Sequence, residues 1–290
     1  MTLLVRNEQD IISENIRLHH ALGVDSFIVM DNLSTDKTAD IVRALAQEID
    51  IEYMHQPLDN YSQGEWVTMM ARRAATDHRA NWVINSDADE FWLPQHGDLK
   101  SYLSGRPQET GAVLAQRHNG IVLCPVGAPL QGSCEPGNCS VFERVSTNNL
   151  GQPLPGKVLH RAWETVKVSQ GNHEVSDMPG QTEAAGERLR ILHYPYRTLT
   201  HYKEKIRLGG AAYQRNTILP QSVGGTWRAH FKELETGTLD RFWTKLSLTS
   251  EEAEIGLLSG RLFRDERVNS FIQNYPPSRR FRKTGRRIPG

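Results

Sequence analysis

The fold is indicated most directly by the stretch WVINSDADEF at residues 82–91. Its first residues are mostly apolar and typical of a buried strand, and Asp87 and Asp89 follow where that strand is expected to end. Two carboxylates two residues apart in a turn can approach one divalent cation together, because such a cation prefers oxygen ligands. Ligands of open α/β sheets bind beyond the carboxyl ends of the strands, so this turn lies where a site is expected.

Strand-like and helix-like segments alternate through the residues that precede this stretch. That alternation predicts right-handed βαβ units, and hence an α/β fold with a mostly parallel central sheet flanked by helices. The predicted strands are 2–6, 26–30, 49–55 and 82–85, and the predicted helices are 10–22, 37–47 and 65–79.

The second part of the chain is less regular. A segment rich in Gly, Pro, Ser and Asn, residues 104–156, contains a long excursion at 125–138 and leads into a region of mixed strands. A helical C-terminal extension then follows, so we expect a catalytic domain at 1–200 and an extension with a basic tail at 201–290. The strands predicted in this part are 113–115, 121–123, 141–145, 158–168 and 188–193, and helices are predicted at 203–214 and over the last thirty or so residues up to 274.

The composition indicates a globular enzyme and gives no sign of a nucleic-acid partner. The 290 residues carry 34 Lys+Arg against 34 Asp+Glu. The apolar run that starts at Met1 ends at Arg6, which is too short for a signal peptide or a membrane span, so we expect a cytoplasmic location.

The C-terminal tail is strongly basic. Residues 278–287 hold six cations and one aromatic side chain. This composition predicts either weak attraction to the inner face of an anionic membrane, to a lipid-linked acceptor or to nucleic acid, or simply a solvated chain end.

Three cysteines, Cys124, Cys134 and Cys139, lack paired CxxC spacing. Neither a zinc ribbon nor a disulfide framework is indicated. Reduced cysteines are expected, with a Cys134–Cys139 bridge as the alternative in an oxidising compartment.

Polar side chains also follow the first two predicted strands. The segments at 5–8 and 31–38 are expected to lie side by side at the carboxyl edge of the sheet, where they can hold the base and ribose of a nucleotide. The alternative is that they cap helices or form ordinary turns. The candidate residues in these two segments are Val5, Asn7, Glu8, Asp31, Asn32 and Asp36.

Together these motifs resemble family 2 glycosyltransferases, and more narrowly a branch in which Asp-x-Asp-Glu-Phe follows an Asn-Glu opening. The resemblance covers about the first 95 residues closely. Beyond them it is carried by Lys157, the Gly-Asn-His at 171–173 and the segment HYPYR at 193–197. The resemblance implies a GT-A fold, a nucleoside-diphosphate sugar donor with UDP favoured, Mn²⁺ or Mg²⁺ held by the Asp-x-Asp motif, and inversion at the anomeric carbon.

The reaction that these parts support is a direct displacement in which the metal neutralises charge on the departing diphosphate. Asp89 is the preferred metal ligand, and Asp87 either binds the metal, directly or through water, or contacts the ribose. His193 is a candidate third ligand, since neutral imidazole joins carboxylates around Mn²⁺, and a structural histidine is the alternative.

Two cations are candidate contacts of the diphosphate. Arg197 can bind phosphate oxygens in a two-pronged manner and Lys157 as a point charge, although each is also compatible with an ordinary surface cation.

The base that deprotonates the acceptor hydroxyl is predicted to be Glu174. Spacing does not exclude Asp177, Glu164 or His173.

The leading hypothesis is therefore a hexosyltransferase-like enzyme of polysaccharide biosynthesis that acts on a glycan or lipid-linked acceptor. A nucleotidyltransferase or phosphohydrolase using the same Asp-held metal is the alternative, and a carbohydrate-binding module without catalysis is a third possibility.

Overall fold

Four parallel strands, joined by three helices, form one half of the central sheet. The structure is a computed structural model that describes residues 1–60, 62–147, 152–217, 219–220 and 223–275. In this half the strands lie in the spatial order β3-β2-β1-β4, and each neighbouring pair is parallel. The elements are β1 (Thr2–Val5), α1 (Ile12–Ala21), β2 (Phe27–Asp31), α2 (Thr38–Leu45), β3 (Ile51–His55), α3 (Gln63–Thr76) and β4 (Trp82–Asp87).

The apolar run of β2 explains why this half-sheet is covered on both faces. All five residues of β2 are buried. Phe27 and Val29 join one apolar cluster, whereas Ile28 and Met30 join another, so alternate side chains pack on opposite faces of the sheet.

The other half of the sheet is mixed. Its strands continue the order as β4-β8-β6-β12-β5, with β11 beside β6, and β8 runs antiparallel to both β4 and β6. Strand β12 is parallel to β6 and antiparallel to β5. The elements are β5 (Glu90–Pro94), α4 (Leu99–Ser104), β6 (Thr110–Asn119), β7 (Val141–Glu143), β8 (Lys157–Arg161), β9 (Lys167–Val168), β10 (Val175–Ser176), β11 (Gln181–Ala184) and β12 (Leu189–His193).

Helices dominate the C-terminal part. Helices α5 and α6 approach closely because α5 contains two consecutive glycines. A Cβ atom added to Gly209 would clash with the ring of Trp227, and one added to Gly210 would clash with the side chain of Phe231. The elements are α5 (Leu199–Arg215), α6 (Gly225–Glu235), α7 (Leu239–Leu246), α8 (Ser250–Leu258), β13 (Leu262–Arg264) and α9 (Arg267–Asn274).

The predicted α/β fold class, with a mostly parallel central sheet flanked by helices, a mixed region and a helical C-terminal extension, is confirmed. Several element predictions need correction. Residues 121–123 make only isolated bridges, and the strand predicted at 158–168 is split into β8 and β9 by a turn, in which Val166 N donates to Trp163 O. The extension also contains strand β13, which pairs with β7.

The division into domains at residue 200 stays a prediction.

Cys124, Cys134 and Cys139 are free thiols. Among the described residues no helix has both the length and the apolar character needed to cross a bilayer. The basic tail at 278–287 lies outside the described residues.

Candidate active site

A cavity of about 540 Å³ opens at the carboxyl ends of β1 and β4. The strand ends supply Val5 and Asp87 to its lining, and α5 and α6 cover the opposite side with Lys205 and Trp227 among others. The second part of the sheet contributes a third side that includes Lys157. The cavity therefore lies where the parallel half-sheet, the mixed half-sheet and the helical extension meet.

The Asp-x-Asp turn is held from both sides by hydrogen bonds to its backbone. Asn15, a buried residue of α1, donates through Nδ2 to the carbonyls of Ala88 (2.9 Å) and Glu90 (2.8 Å). On the other side the backbone N–H of Tyr194 donates to the carbonyl of Asp89 (2.9 Å). These bonds fix the direction in which the two aspartate side chains leave the turn.

Asp87 is half-buried and has a lysine and two amides around its carboxylate. Lys157 Nζ lies 2.7 Å from Asp87 Oδ2, and Gln63 and Asn172 approach Oδ1 at 3.2 and 3.5 Å. Burial alone would raise the pKa of Asp87, but the positive charges of Lys157 and Lys205 hold it below its ordinary value. Asp87 is therefore ionised at neutral pH.

Asp89 is more deeply buried, with 2% of its surface exposed. Lys205 Nζ lies 2.6 Å from Oδ2, and His193 Nε2 lies 3.5 Å from Oδ1. Burial opposes ionisation, yet the positive charge of Lys205 outweighs it and the pKa of Asp89 lies well below its usual range. Each oxygen of this carboxylate thus has its own neighbour.

His193 ends β12 and presents its Nε2 to Asp89. Its Nδ1 lies 2.7 Å from the side-chain oxygen of Asn119, which can only accept, so Nδ1 carries the proton. Burial lowers the pKa of His193 to about 4. The imidazole is therefore neutral at pH 7, and the lone pair of Nε2 faces the carboxylate of Asp89.

Glu90 lies beneath the turn and is fully buried. Lys157 Nζ lies 2.9 Å from its Oε1, and the backbone N–H of Asp87 donates to its Oε2 at 3.2 Å. Burial raises the pKa of Glu90 to about 7. The ammonium of Lys157 lies between the carboxylates of Glu90 and Asp87. Burial would lower the pKa of Lys157, but these two carboxylates raise it above its ordinary value.

Arg197 and Glu8 form a second buried charge cluster next to the cavity. Arg197 Nη2 lies 2.6 Å from Glu8 Oε2, its Nε lies 2.8 Å from Asp10 Oδ2, and the guanidinium also contacts His201. Ligand atoms of Glu8, Asp10 and His201 lie within 4.8 Å of one another, but the guanidinium already supplies a cation to them. Glu8 lines the cavity, whereas Arg197 is only 1% exposed and does not contribute to the lining.

The residues predicted to hold the nucleoside divide into two groups. Val5, Glu8 and Asn32 line the cavity, while Asn7, Asp31 and Asp36 fix the neighbouring loops. Asp31 Oδ1 accepts from Ser34 N (2.8 Å), Asn7 Oδ1 accepts from Thr35 N (2.8 Å), and Asp36 Oδ1 accepts from Thr38 N (2.9 Å) at the start of α2.

The four candidate bases also differ in position. Glu174 is exposed and lies outside the lining, as do Glu164 and Asp177, and Asp177 pairs with Lys167 at 2.7 Å. His173 lines the cavity; its Nδ1 donates to the carbonyl of Gly156 (2.8 Å), and burial lowers its pKa to about 4. The geometry thus brings one of the four to the cavity.

Sequence reasoning missed Glu90 and Asn119 as partners of the site, and it missed Lys205. A signal for Lys205 was present. The predicted helix around residue 205 has an apolar face that includes Tyr202, Ile206 and Gly209, and Lys205 falls on that face. A lysine among buried positions of a helix requires a partner for its charge.

The comparison with protein families decides the enzyme class. Residues 3–101 match the sequence model of glycosyl transferase family 2. This part of the chain is therefore similar to the family 2 glycosyltransferases. The enzyme class predicted from the sequence, a glycosyltransferase, is confirmed.

Individual relatives of this glycosyltransferase are distant. A family 92 glycosyltransferase of Ricinus communis is 24% identical over 238 residues, which cover 78% of this chain and 40% of that protein. This chain thus spans well under half of the length of that curated relative. Residues 1–349 of S. aureus TarS superpose with a TM-score of 0.43 at 12% identity, covering 81% of this chain and 71% of that one. For glucosyl-3-phosphoglycerate synthase of Mycobacterium tuberculosis the TM-score is 0.34 at 16% identity, covering 82% and 77%.

Proposed function

We propose that this glycosyltransferase moves a sugar from a nucleoside-diphosphate sugar, with UDP favoured, to an acceptor hydroxyl, with inversion and with help from Mn²⁺ or Mg²⁺. One observation carries the proposal: within the family match, the Asp-x-Asp turn lies at a cavity that also exposes the imidazole of His193 and two ammonium groups. Its volume of about 540 Å³ falls within the range of roughly 300–1,000 Å³ of small-molecule sites.

The chemistry of the side chains fits a divalent cation at Asp89. Asp89 Oδ1 and the lone pair of His193 Nε2 face each other at 3.5 Å, and the bond to Asn119 fixes the histidine tautomer, as in protein metal sites. Asp89 and His193 would hold the cation directly, and Asp87 would act through water or on the ribose. When bound, the cation would neutralise charge that develops on the leaving diphosphate.

The other side chains would position the donor. Val5 and Asn32, at the ends of neighbouring strands, line the cavity and would flank the base and ribose, and Lys157 adds a positive charge beside Asp87. Arg197 is held by Glu8 and Asp10, so we assign it the positioning of Glu8. A direct contact of Arg197 with the diphosphate would require the guanidinium to leave both carboxylates.

The acceptor base has two candidates with different requirements. A base must come within hydrogen-bond reach of the hydroxyl that it deprotonates. His173 already lines the cavity, whereas Glu174 would have to turn inward from an exposed position. Transfer assays of Glu174→Gln and His173→Asn separate them, since the variant that lacks the base loses kcat while donor binding is kept.

The partners that we propose are a nucleotide-sugar donor and a glycan or lipid-linked acceptor. We further propose a cytoplasmic enzyme, with the basic tail at 278–287 as its means of peripheral membrane contact. We also propose the division at residue 200, because the candidate metal ligands and acceptor bases precede it and the helices that cover the cavity follow it.

A thermal-shift screen with nucleoside diphosphates and their sugars, with and without Mn²⁺, tests the donor assignment. A ligand that binds only the folded state at about 100 times its Kd stabilises it by about 2.7 kcal/mol. For a chain of this size we expect a rise in Tm on the order of 5 °C with UDP and Mn²⁺ together. Absence of any shift with all nucleotides would contradict the proposal.

Product analysis separates the proposed transfer from the alternative chemistry at the same carboxylates. Transfer releases a nucleoside diphosphate and yields a glycosylated acceptor. Released pyrophosphate would instead indicate nucleotidyl transfer, and free phosphate would indicate a phosphohydrolase.

A further inference from the structure

Helix α5 carries two lysines, two residues apart, with different surroundings. Lys203 lies on the outer side of the helix, has 38% of its side chain exposed, and pairs with Asp240 at 2.6 Å. Lys205 faces the cavity, is 23% exposed, and pairs with Asp89 at 2.6 Å. Both lysines lie on the same helix, and each forms an ion pair of the same length, so Lys203 can serve as the control for substitutions of Lys205.

The position of Lys205 has an energetic consequence. Burying an ammonium group is costly unless a negative charge compensates it. The carboxylate of Asp89, 2.6 Å from Nζ, supplies that negative charge. The helix therefore brings a permanent positive charge to the carboxylate that we propose as the metal ligand.

The two oxygens of Asp89 are approached from different directions. Oδ2 accepts from Lys205, and Oδ1 faces the lone pair of His193. A cation bound at Oδ1 would share one carboxylate with the ammonium of Lys205, and the two positive charges would repel each other. An anion in contact with both charges would relieve that repulsion.

We propose that Lys205 is a further catalytic residue, which contacts the donor diphosphate and makes the binding of diphosphate and divalent cation depend on each other. This inference rests on the function proposed above. The ammonium of a lysine has three N–H donors, of which Asp89 takes one, and the side chain lines the same cavity as Asp87 and His193. Linkage requires the coupling to be reciprocal: UDP must tighten the cation as much as the cation tightens UDP.

Isothermal titration calorimetry on Lys205→Met tests the inference. We expect this variant to bind Mn²⁺ alone more tightly than the wild type, because a repelling charge is gone, and to bind UDP in the presence of Mn²⁺ more weakly. The factor by which UDP tightens Mn²⁺ should fall by about 10-fold, within the usual range of couplings between sites. Lys203→Met is the matched control and should leave both affinities unchanged.

The outcomes of the titration separate this inference from the function on which it rests. A wild-type protein that binds neither Mn²⁺ nor UDP overturns both. A wild type that binds both, together with a Lys205→Met variant whose two affinities equal those of the wild type, overturns the role of Lys205 alone.

A second measurement covers the case in which Lys205→Met does not fold. In ¹⁵N-lysine NMR spectra of the wild-type protein with Mg²⁺, we expect UDP to shift the Nζ resonance of Lys205 and to leave that of Lys203 in place. Lys205→Arg and Lys203→Arg assign the two signals. An unshifted Lys205 resonance in the presence of bound UDP would overturn the inference.

Discussion

The acidic side chains of the cavity and their cationic partners come from different parts of the chain. Asp87 ends β4, Glu90 begins β5 and Asp89 lies in the tight connection between them, all within the family match at 3–101. The side chains that neutralise them, Lys157 and Lys205, lie beyond residue 150 on β8 and α5. The site is therefore assembled by long-range pairing of buried charges. Its stability and its chemistry therefore depend on the same contacts.

The largest effect is expected from removing the lysine that serves two carboxylates. Lys157→Met leaves the acids Asp87 and Glu90 without their shared ammonium. Breaking a buried ion pair by removing one partner costs about 3–5 kcal/mol, so we expect a loss of this size in the free energy of unfolding. Urea denaturation measures it, with Lys167→Met, which removes an exposed ion pair, as control. Equal stability of both variants would show that the pairing of Lys157 with Asp87 and Glu90 does not stabilise the fold.

Asp89→Asn tests whether the carboxylate of Asp89 is needed for activity. This change removes the charge that faces His193 and Lys205, and we expect sugar transfer to fall on the order of 100-fold, the usual cost of losing one electrostatic contact to a transition state. Turnover of the nucleotide sugar is the measurement. Asp77→Asn, on the exposed end of α3, should behave like the wild type, and unchanged turnover in Asp89→Asn would contradict the account.

The buried acid Glu90 should make the stability of the protein depend on pH. Because burial raises its pKa from 4.5 to about 7, the folded protein holds a proton that the unfolded chain releases in this interval. The stability contributed by Glu90 is therefore present below pH 4.5 and is lost as the pH rises towards 7. We expect Glu90→Gln to gain stability relative to the wild type as the pH rises from 4.5 to 7, measured by urea denaturation at several pH values. A pH-independent difference would show that Glu90 titrates normally.

His193 should show a dependence of stability on pH of the opposite sign. Its pKa is lowered from 6.5 to about 4 by burial, so the unfolded chain binds a proton that the folded protein excludes. Its contribution is present above pH 6.5 and is lost as the pH falls towards 4. The variant His193→Gln should lose less stability than the wild type over that fall in pH. The same denaturation series measures both variants, and slopes of equal sign would contradict the assigned charge states.

The sequence predicted the first part of the molecule better than the second for a physical reason. Strands β1 to β4 and their helices are indicated by local patterns, because a strand such as β2 is buried on both faces and reads as a continuous apolar run. Strand β13 owes its existence to pairing with β7, about 120 residues away, and a single sequence does not reveal that distant partner.

The residues of the candidate site likewise differ in how far the sequence alone indicates them. Asp87 and Asp89 are predicted from the sequence because their spacing and their position after a strand are local features. Lys205 was missed because its role depends on a contact 116 positions away in the sequence, although its place on the apolar face of a helix was legible. Glu174 was chosen without a spacing argument, and the structure places it on an exposed turn outside the cavity lining.

Pulsed electron paramagnetic resonance of Mn²⁺ added with UDP examines the proposed metal site itself, because it reports which nuclei surround the metal. The account predicts ¹⁴N modulation from the imidazole of His193 and coupling to the ³¹P nuclei of UDP. The nitrogen signal should vanish in His193→Gln, and protein-bound Mn²⁺ should be lost in Asp89→Asn. A nitrogen signal that persists in His193→Gln, or Mn²⁺ that binds UDP without contacting the protein, would contradict it.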